Sequence, residues 1–279
     1  MSTTSVVATG VANVHRDPDA NSEMVTQALM NMPAIMGARS GAWVHVTLPD
    51  YEGWMQSDDL ADPVVKGFCK VSECCGTPLD LMAVVVVTNA PLYTSSSGEE
   101  TCGTIYLSTT LPLLDITHEK RLQVALPDDQ SAWLARSAAN IRRQAHVYPR
   151  VPIDAIIRYA HSFIDVPYLW GGTSWQGIDC SGFVQLCYRM GGYRLPRDAD
   201  QQYDALVDAV KREQMRAGDL IFFGRKAITH VALALNDKEY IHAEGQRYNR
   251  VTINSFDQTD PHYDQRLDEI VWGIRRVIS

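Results

Sequence analysis

Asp179-Cys180-Ser181-Gly182-Phe183 is the stretch on which the fold of this chain turns. A cysteine follows an acid and opens an apolar run. Phe183, Leu186, Cys187 and Met190 recur at helical spacing, and Gly191-Gly192 ends it. The spacing predicts a helix starting at Cys180, where free N–H groups and the helix dipole favour a thiolate. A cysteine with no base nearby is only a small buried side chain. Here two histidines follow in strand-like settings, Ile228-Thr229-His230-Val231-Ala232 and Tyr240-Ile241-His242-Ala243-Glu244, either side of the turn Asn236-Asp237-Lys238. With Asp237 at the turn centre, residues whose numbers add to 474 face each other, and His230 and His242 fall two short of that. They are then diagonal neighbours on one face, within side-chain reach. Nucleophile, base and orienting group are the parts of Cys–His acyl-transfer chemistry, and a second imidazole can orient the first through its other ring nitrogen.

Outward from this stretch, the C-terminal texture is α+β. Pro152 sits near the start of a helix whose apolar stripe is Ile153, Ile156, Ile157 and Ala160. Val166-Pro167-Tyr168-Leu169-Trp170-Gly171-Gly172 is a turn-rich approach to Cys180. Pro196-Arg197-Asp198 leads into another helix, with Asp198 a candidate cap. Gly218-Asp219-Leu220-Ile221-Phe222-Phe223 reads as a buried strand.

The front half reads as short strands cut by turns. Trp43-Val44-His45-Val46-Thr47-Leu48 alternates, Pro49-Asp50-Tyr51-Glu52-Gly53 turns, and Trp54-Met55 resumes. Val46-Thr47-Leu48-Pro49-Asp50 is echoed by Val124-Ala125-Leu126-Pro127-Asp128, Trp54 by Trp133, and Val11-Ala12-Asn13 by Val87-Thr88-Asn89. The offsets are 78, 79 and 76 residues, an internal duplication with two copies. One larger β-sandwich is the competing reading of the same pattern. The expected boundaries are 1–62 and 81–137 for the two copies, a linker at 63–80, a helical or connecting segment at 138–150, and a last domain at 151–279.

Composition narrows the function classes. An apolar content of 46% in 279 residues supports packed cores rather than disorder. A net charge of −8 argues against a duplex nucleic-acid binder. The apolar run at 81–87 is too short to span a bilayer. Met1-Ser2-Thr3-Thr4-Ser5 carries neither the charged nor the apolar region of a secretory leader, so a cytoplasmic protein is expected. Of six cysteines, Cys69, Cys74 and Cys75 cluster, but no second cluster completes a metal site. No metal, cofactor, membrane or protein partner is expected.

These residues resemble the NlpC/P60 family of papain-like cysteine peptidases. The matching pieces are Tyr168-Leu169-Trp170-Gly171-Gly172, Asp179-Cys180-Ser181-Gly182-Phe183, Leu195-Pro196-Arg197-Asp198, Gly218-Asp219-Leu220 and Thr229-His230-Val231, in the family's order. His242 falls where the family has its third polar residue. The two front copies resemble bacterial SH3-like domains. The fold implied is a papain-like α+β catalytic domain preceded by two small SH3-like β-barrels. The activity implied is cleavage of the γ-D-glutamyl–diamino acid bond in cell-wall peptides with a free N-terminal L-Ala, in murein peptide recycling. The resemblance makes Cys180 the nucleophile, His230 the base, His242 its orienter and Tyr168 a helper at the oxyanion. It puts Trp170, Asp179, Ser181, Arg197 and Asp198 on the substrate side, with Glu23 and Tyr51 of the first domain at the L-Ala amine. Ala199 departs from the family, whose members often have Ser there. A non-catalytic cell-wall binding protein, or an amidase or acyltransferase on the same scaffold, are the alternatives.

Overall fold

The computed structural model describes residues 3–63 and 81–278. Of the expected linker at 63–80, residues 64–80, with Cys69, Cys74 and Cys75, lie outside the described residues. The chain divides into two compact units, Met1–Val147 and Tyr148–Ser279.

The front unit holds two seven-stranded antiparallel sheets. In the first, strands run spatially Met24–Leu29, Val11–His15, Glu52–Gln56, Trp43–Thr47, Pro33–Ser40, Thr3–Val7, Leu60–Ala61. In the second they run Thr101–Tyr106, Asn89–Tyr93, Gln130–Ala135, Arg121–Leu126, Thr110–Asp115, Leu81–Val85, Ala139–Arg143. The order is the same position by position, so the echo in sequence is a repeat in topology. Period-two burial explains which echoes are strongest. Val44, Val46 and Met55 fill the first core, and Leu122, Val124 and Leu134 occupy the matching places in the second. Asn31 ties the copies by donating its side-chain N–H to the Thr110 carbonyl at 2.9 Å.

One expectation is corrected. Ala139–Arg143 is neither helix nor connector but the last strand of the second sheet, paired from Ala139↔Val85 to Arg143↔Leu81. Ala139 and Ile141 face the core while Asn140 is exposed, a two-residue alternation that Arg142-Arg143 obscures.

The C-terminal unit is a six-stranded antiparallel sheet with helices packed against it. Its order is Ala209–Val210, Val271–Arg276, Asp219–Gly224, Ile228–Ala234, Glu239–Glu244, Arg250–Ser255. Asp219–Gly224 is buried along its whole length, as its unbroken apolar run requires. The Cys180–Met190 helix packs on Ile228–Ala234 and Glu239–Glu244 and on the Ile153–His161 helix. Phe163 and Phe183 meet edge-to-face at 5.9 Å, both fully buried, each contributing about 1.5–3 kcal/mol by leaving water. Among the described residues no helix is long and apolar enough to cross a membrane.

The double glycine ends the Cys180–Met190 helix in a defined way. Tyr193 donates its N–H to the Tyr188 carbonyl at 2.9 Å and Gly192 to that of Arg189 at 3.0 Å. This is the paired C-terminal motif that needs a left-handed residue, and Gly192 supplies it with φ +79°. A Cβ on Gly192 would also sit 2.7 Å from the Pro149 and Arg150 backbone. Gly192→Ala should therefore destabilise the C-terminal unit by about 1–3 kcal/mol in urea unfolding. An unchanged midpoint would contradict this close approach.

Candidate active site

Cys180 is the first residue of its helix because Asp179 is extended (φ −93°, ψ 176°) and caps it, Oδ1 accepting the Gly182 N–H at 2.7 Å. The same carboxylate accepts the Gly171 N–H at 2.9 Å, which fixes the Tyr168–Gly172 loop beside the helix. Arg197 grips it from the other side, Nη2 to Oδ2 at 2.6 Å and Nη1 to Oδ1 at 3.1 Å, with Nη1 also donating to Ser181 Oγ at 3.0 Å. Arg197 is only 1% exposed and Asp179 7%. The geometry gives both a positioning task at the start of the helix, and Ser181's hydroxyl is turned into the ion pair. Gly182 permits the tight seat, since a Cβ there would lie 2.5 Å from the Gly172 carbonyl.

The hairpin has the register the turn dictates. Leu233 pairs with Ile241 and Ala234 with Tyr240. Beyond Leu233↔Ile241 the two strands part, and His242–Glu244 pairs only with Arg250–Thr252 on its other side. His230 and His242 face each other across this gap, Nε2 to Nδ1 at 2.7 Å. The backbone N–H of Val231, the residue after His230, faces the Cys180 thiol, as does that of Ser181. The thiol therefore lies against the strand residue next to His230.

Electrostatic influences oppose one another at the thiol. Burial, and then the Asp179 charge, push the Cys180 thiol up to about 12, against the pull of the two N–H groups. A helix N-terminus alone does not hold a thiolate in so dry a place. Burial likewise lowers His230 well below an ordinary imidazole, with His242 and Arg266 adding to the effect. His242, fully buried, is lowered to about 4, chiefly by desolvation. These shifts favour a neutral thiol and neutral imidazoles in the resting site. Tyr168 is half-buried, and burial followed by the charge of Cys180 raises its phenol, which stays a hydrogen-bond donor next to the thiol. Its ring lies over Gly245, where a Cβ would be 2.5 Å away.

The other expected residues are placed as follows. Trp170 is 60% exposed, an aromatic surface on the Tyr168–Gly172 loop. Asp198 precedes the Ala199–Ala205 helix but makes no side-chain cap; its carboxylate takes the Gln201 amide at 3.3 Å. Glu23 and Tyr51 lie in the other unit. Glu23 pairs with Arg16 at 2.7 Å, and the Tyr51 carbonyl accepts the Leu48 N–H at 2.8 Å in the turn before Glu52–Gln56. Sequence reasoning missed Asn254, whose Oδ1 lies 2.8 Å from His242 Nε2. The β-branched run Val251-Thr252-Ile253 could have placed its strand. No group of three or more His, Cys, Asp or Glu among the described residues is arranged to hold a metal.

The NlpC/P60 family pattern matches residues 165–271, and that of the bacterial dipeptidyl-peptidase SH3 domain matches residues 14–60. A γ-D-glutamyl-L-lysine dipeptidyl-peptidase of Bacillus cereus is 30% identical over 234 residues, spanning 79% of this chain and 67% of that protein. The chain belongs to the NlpC/P60 family. Within the family, dipeptidyl-peptidase 6 of Lysinibacillus sphaericus is 26% identical over 284 residues, 97% of this chain and 98% of that one. The crystal structure of an NlpC/P60 family protein from Bacillus cereus superposes with a TM-score of 0.82 at 25% identity, covering 99% of this chain and 100% of that one.

Two outcomes follow for stability. Arg197→Met leaves Asp179 buried without its cation and should cost about 3–5 kcal/mol in denaturant unfolding; a loss under 1 kcal/mol, roughly the worth of an exposed pair, would contradict the buried pairing. The imidazoles take up protons in the unfolded chain near pH 6.5 but in the folded one only lower, near 4 for His242. Their contribution is therefore full above about 6.5 and is lost as pH falls toward 4. The thermal midpoint should drop across that window, less steeply in His242→Gln. Equal slopes would show that His242 is not held neutral.

Proposed function

We propose that the protein is a cysteine endopeptidase that cleaves the γ-D-glutamyl–diamino acid bond of cell-wall peptides. The observation that carries this is the seat of the Cys180 thiol against the Val231 N–H, next to the His230–His242 pair at 2.7 Å. The relatives support the bond: two of them, from Bacillus cereus and Bacillus subtilis, are γ-D-glutamyl-L-lysine dipeptidyl-peptidases.

Chemistry follows from the site. His230 takes the Cys180 proton as sulfur attacks the γ-carbonyl of D-Glu, and a tetrahedral oxyanion forms. Tyr168 O–H donates to that oxygen, an interaction worth a few kcal/mol in a dry site. His230 then protonates the departing amine of the diamino acid. Water, deprotonated by the same imidazole, releases the dipeptide from the thioester. Trp170 offers an apolar wall for the peptide.

Two finer elements belong to the same proposal. The substrate carries an unblocked L-Ala, whose ammonium would be met by a carboxylate, and Asp198 at the start of the Ala199–Ala205 helix is the residue of the C-terminal unit assigned to this task. The second sheet of the front unit is a second SH3-like domain and the C-terminal unit is papain-like. The topological repeat and the helix-on-antiparallel-sheet arrangement support these descriptions. The described cysteines Cys102, Cys180 and Cys187 are unpaired, which fits a reducing, cytoplasmic compartment and a role in recycling small wall peptides.

Incubation with L-Ala-γ-D-Glu-L-Lys, and with its meso-diaminopimelate counterpart, should release L-Ala-γ-D-Glu by mass spectrometry. Cys180→Ala should lower kcat by about 10⁴-fold or more. Acetylating the L-Ala amine should cut kcat/KM at least about tenfold, the worth of one charge-assisted hydrogen bond. No turnover of either tripeptide by folded protein would overturn the substrate assignment.

A further inference from the structure

Behind the imidazole pair lies a chain of polar side chains that the Cys–His–His chemistry does not require. Asn254 is 2% exposed, on the Arg250–Ser255 strand. One of its amide atoms lies 2.8 Å from His242 Nε2. The other lies 2.8 Å from the His262 carbonyl and 3.0 Å from the Tyr248 hydroxyl. A backbone carbonyl only accepts, so the atom facing His262 is the NH₂. A second anchor agrees. Tyr248 O–H must donate to the Asp264 carboxylate at 3.1 Å, which leaves its oxygen to accept from Asn254. Asp264 is fully buried, with Arg247 and Arg266 each 3.7 Å away. The amide is thus held in one orientation from two sides, and its oxygen faces His242.

From this orientation we infer that Asn254 is a positioning residue that sets the tautomer of both histidines. An amide oxygen accepts, so His242 carries its proton on Nε2. Its Nδ1 is then a lone pair and accepts the Nε2–H of His230 across 2.7 Å. The proton of neutral His230 is used there, and its Nδ1 is left as the base for the Cys180 proton. With the opposite amide orientation, NH₂ would face His242 Nε2, the proton would move to Nδ1, and His230 would have to accept through Nε2. Its Nδ1 would then be protonated, with nothing to take from the thiol. The Asn254 side chain bonds to His242, Tyr248 and the His262 carbonyl, so it acts through His242 rather than on a reacting atom. The inference rests on the Cys–His peptidase reading for its meaning, but the tautomer itself can be read without substrate.

Heteronuclear NMR of protein with nitrogen-labelled histidine, near neutral pH, tests it. His242 signals are assigned by their loss in His242→Gln. The expected spectrum has Nε2 protonated and Nδ1 bare on both His242 and His230; a proton on Nδ1 of His242 overturns the proposal, whatever the activity. In Asn254→Leu the His242 preference should be lost, and kcat on the tripeptide should fall about 10–100-fold, the usual cost of losing an outer partner, while KM moves less than about twofold. Unchanged tautomers in folded Asn254→Leu would also overturn it. If that variant does not fold, the wild-type spectrum decides alone. A protein that fails to cleave the tripeptide but shows the expected tautomers separates loss of the substrate assignment from loss of this one.

Discussion

The buried pair of Asp179 and Arg197 is the constraint on which the rest of the site depends. One carboxylate caps the nucleophile helix, holds the Gly171 end of the preceding loop and receives both guanidinium nitrogens. Burying two charges is costly unless each is hydrogen-bonded on all sides, and here the backbone N–H groups and Ser181 complete the set. What the pair provides is position. It sets where the helix begins, and so where the Cys180 thiol points. The loop that it ties down carries Tyr168 and Trp170, so nucleophile, phenol and exposed aromatic are fixed by one interaction. Neither charged side chain needs to touch a substrate for this to matter.

The opposite wall of the site is fixed by backbone geometry instead. Hairpin register places the two imidazoles on one face, and the parting of the strands beyond Leu233↔Ile241 frees the Val231 N–H for the thiol. Dryness then sets the protonation states. Burial raises the thiol and lowers both imidazoles, so the neutral forms win over the ion pair until a substrate is attacked. The N–H groups at the helix start pull the thiol down, and burial with the Asp179 charge outweighs them.

Much of this was legible in the sequence because it follows from local periodicity. The helix over Cys180–Met190, its glycine ending and the facing of His230 and His242 all come from spacing and turn chemistry. So does the repeat of the front sheets, where inward residues recur at the same places. What was not legible depends on contacts between distant segments. Ala139–Arg143 becomes a strand because Leu81–Val85 offers an edge, not because of its own composition. Asp179 and Arg197 carry the family motif, yet only the fold shows that they are spent on each other. Asn254 is an ordinary strand residue in sequence; its meaning comes from the His262 carbonyl and Tyr248, which the chain brings back from either side. Asp198 sits at a helix start as its type suggests, but its carboxylate goes to Gln201 instead of the backbone.

The central claim is that a buried thiol becomes a nucleophile only through the imidazole beside it. The most direct measurement is the alkylation rate of Cys180 by iodoacetamide at neutral pH, read by mass spectrometry on the Cys180 peptide, in wild type and in His230→Gln. The account predicts a rate about a hundredfold or more lower without His230. Equal rates in the two proteins, both folded, would show that His230 does not take the Cys180 proton and would contradict it.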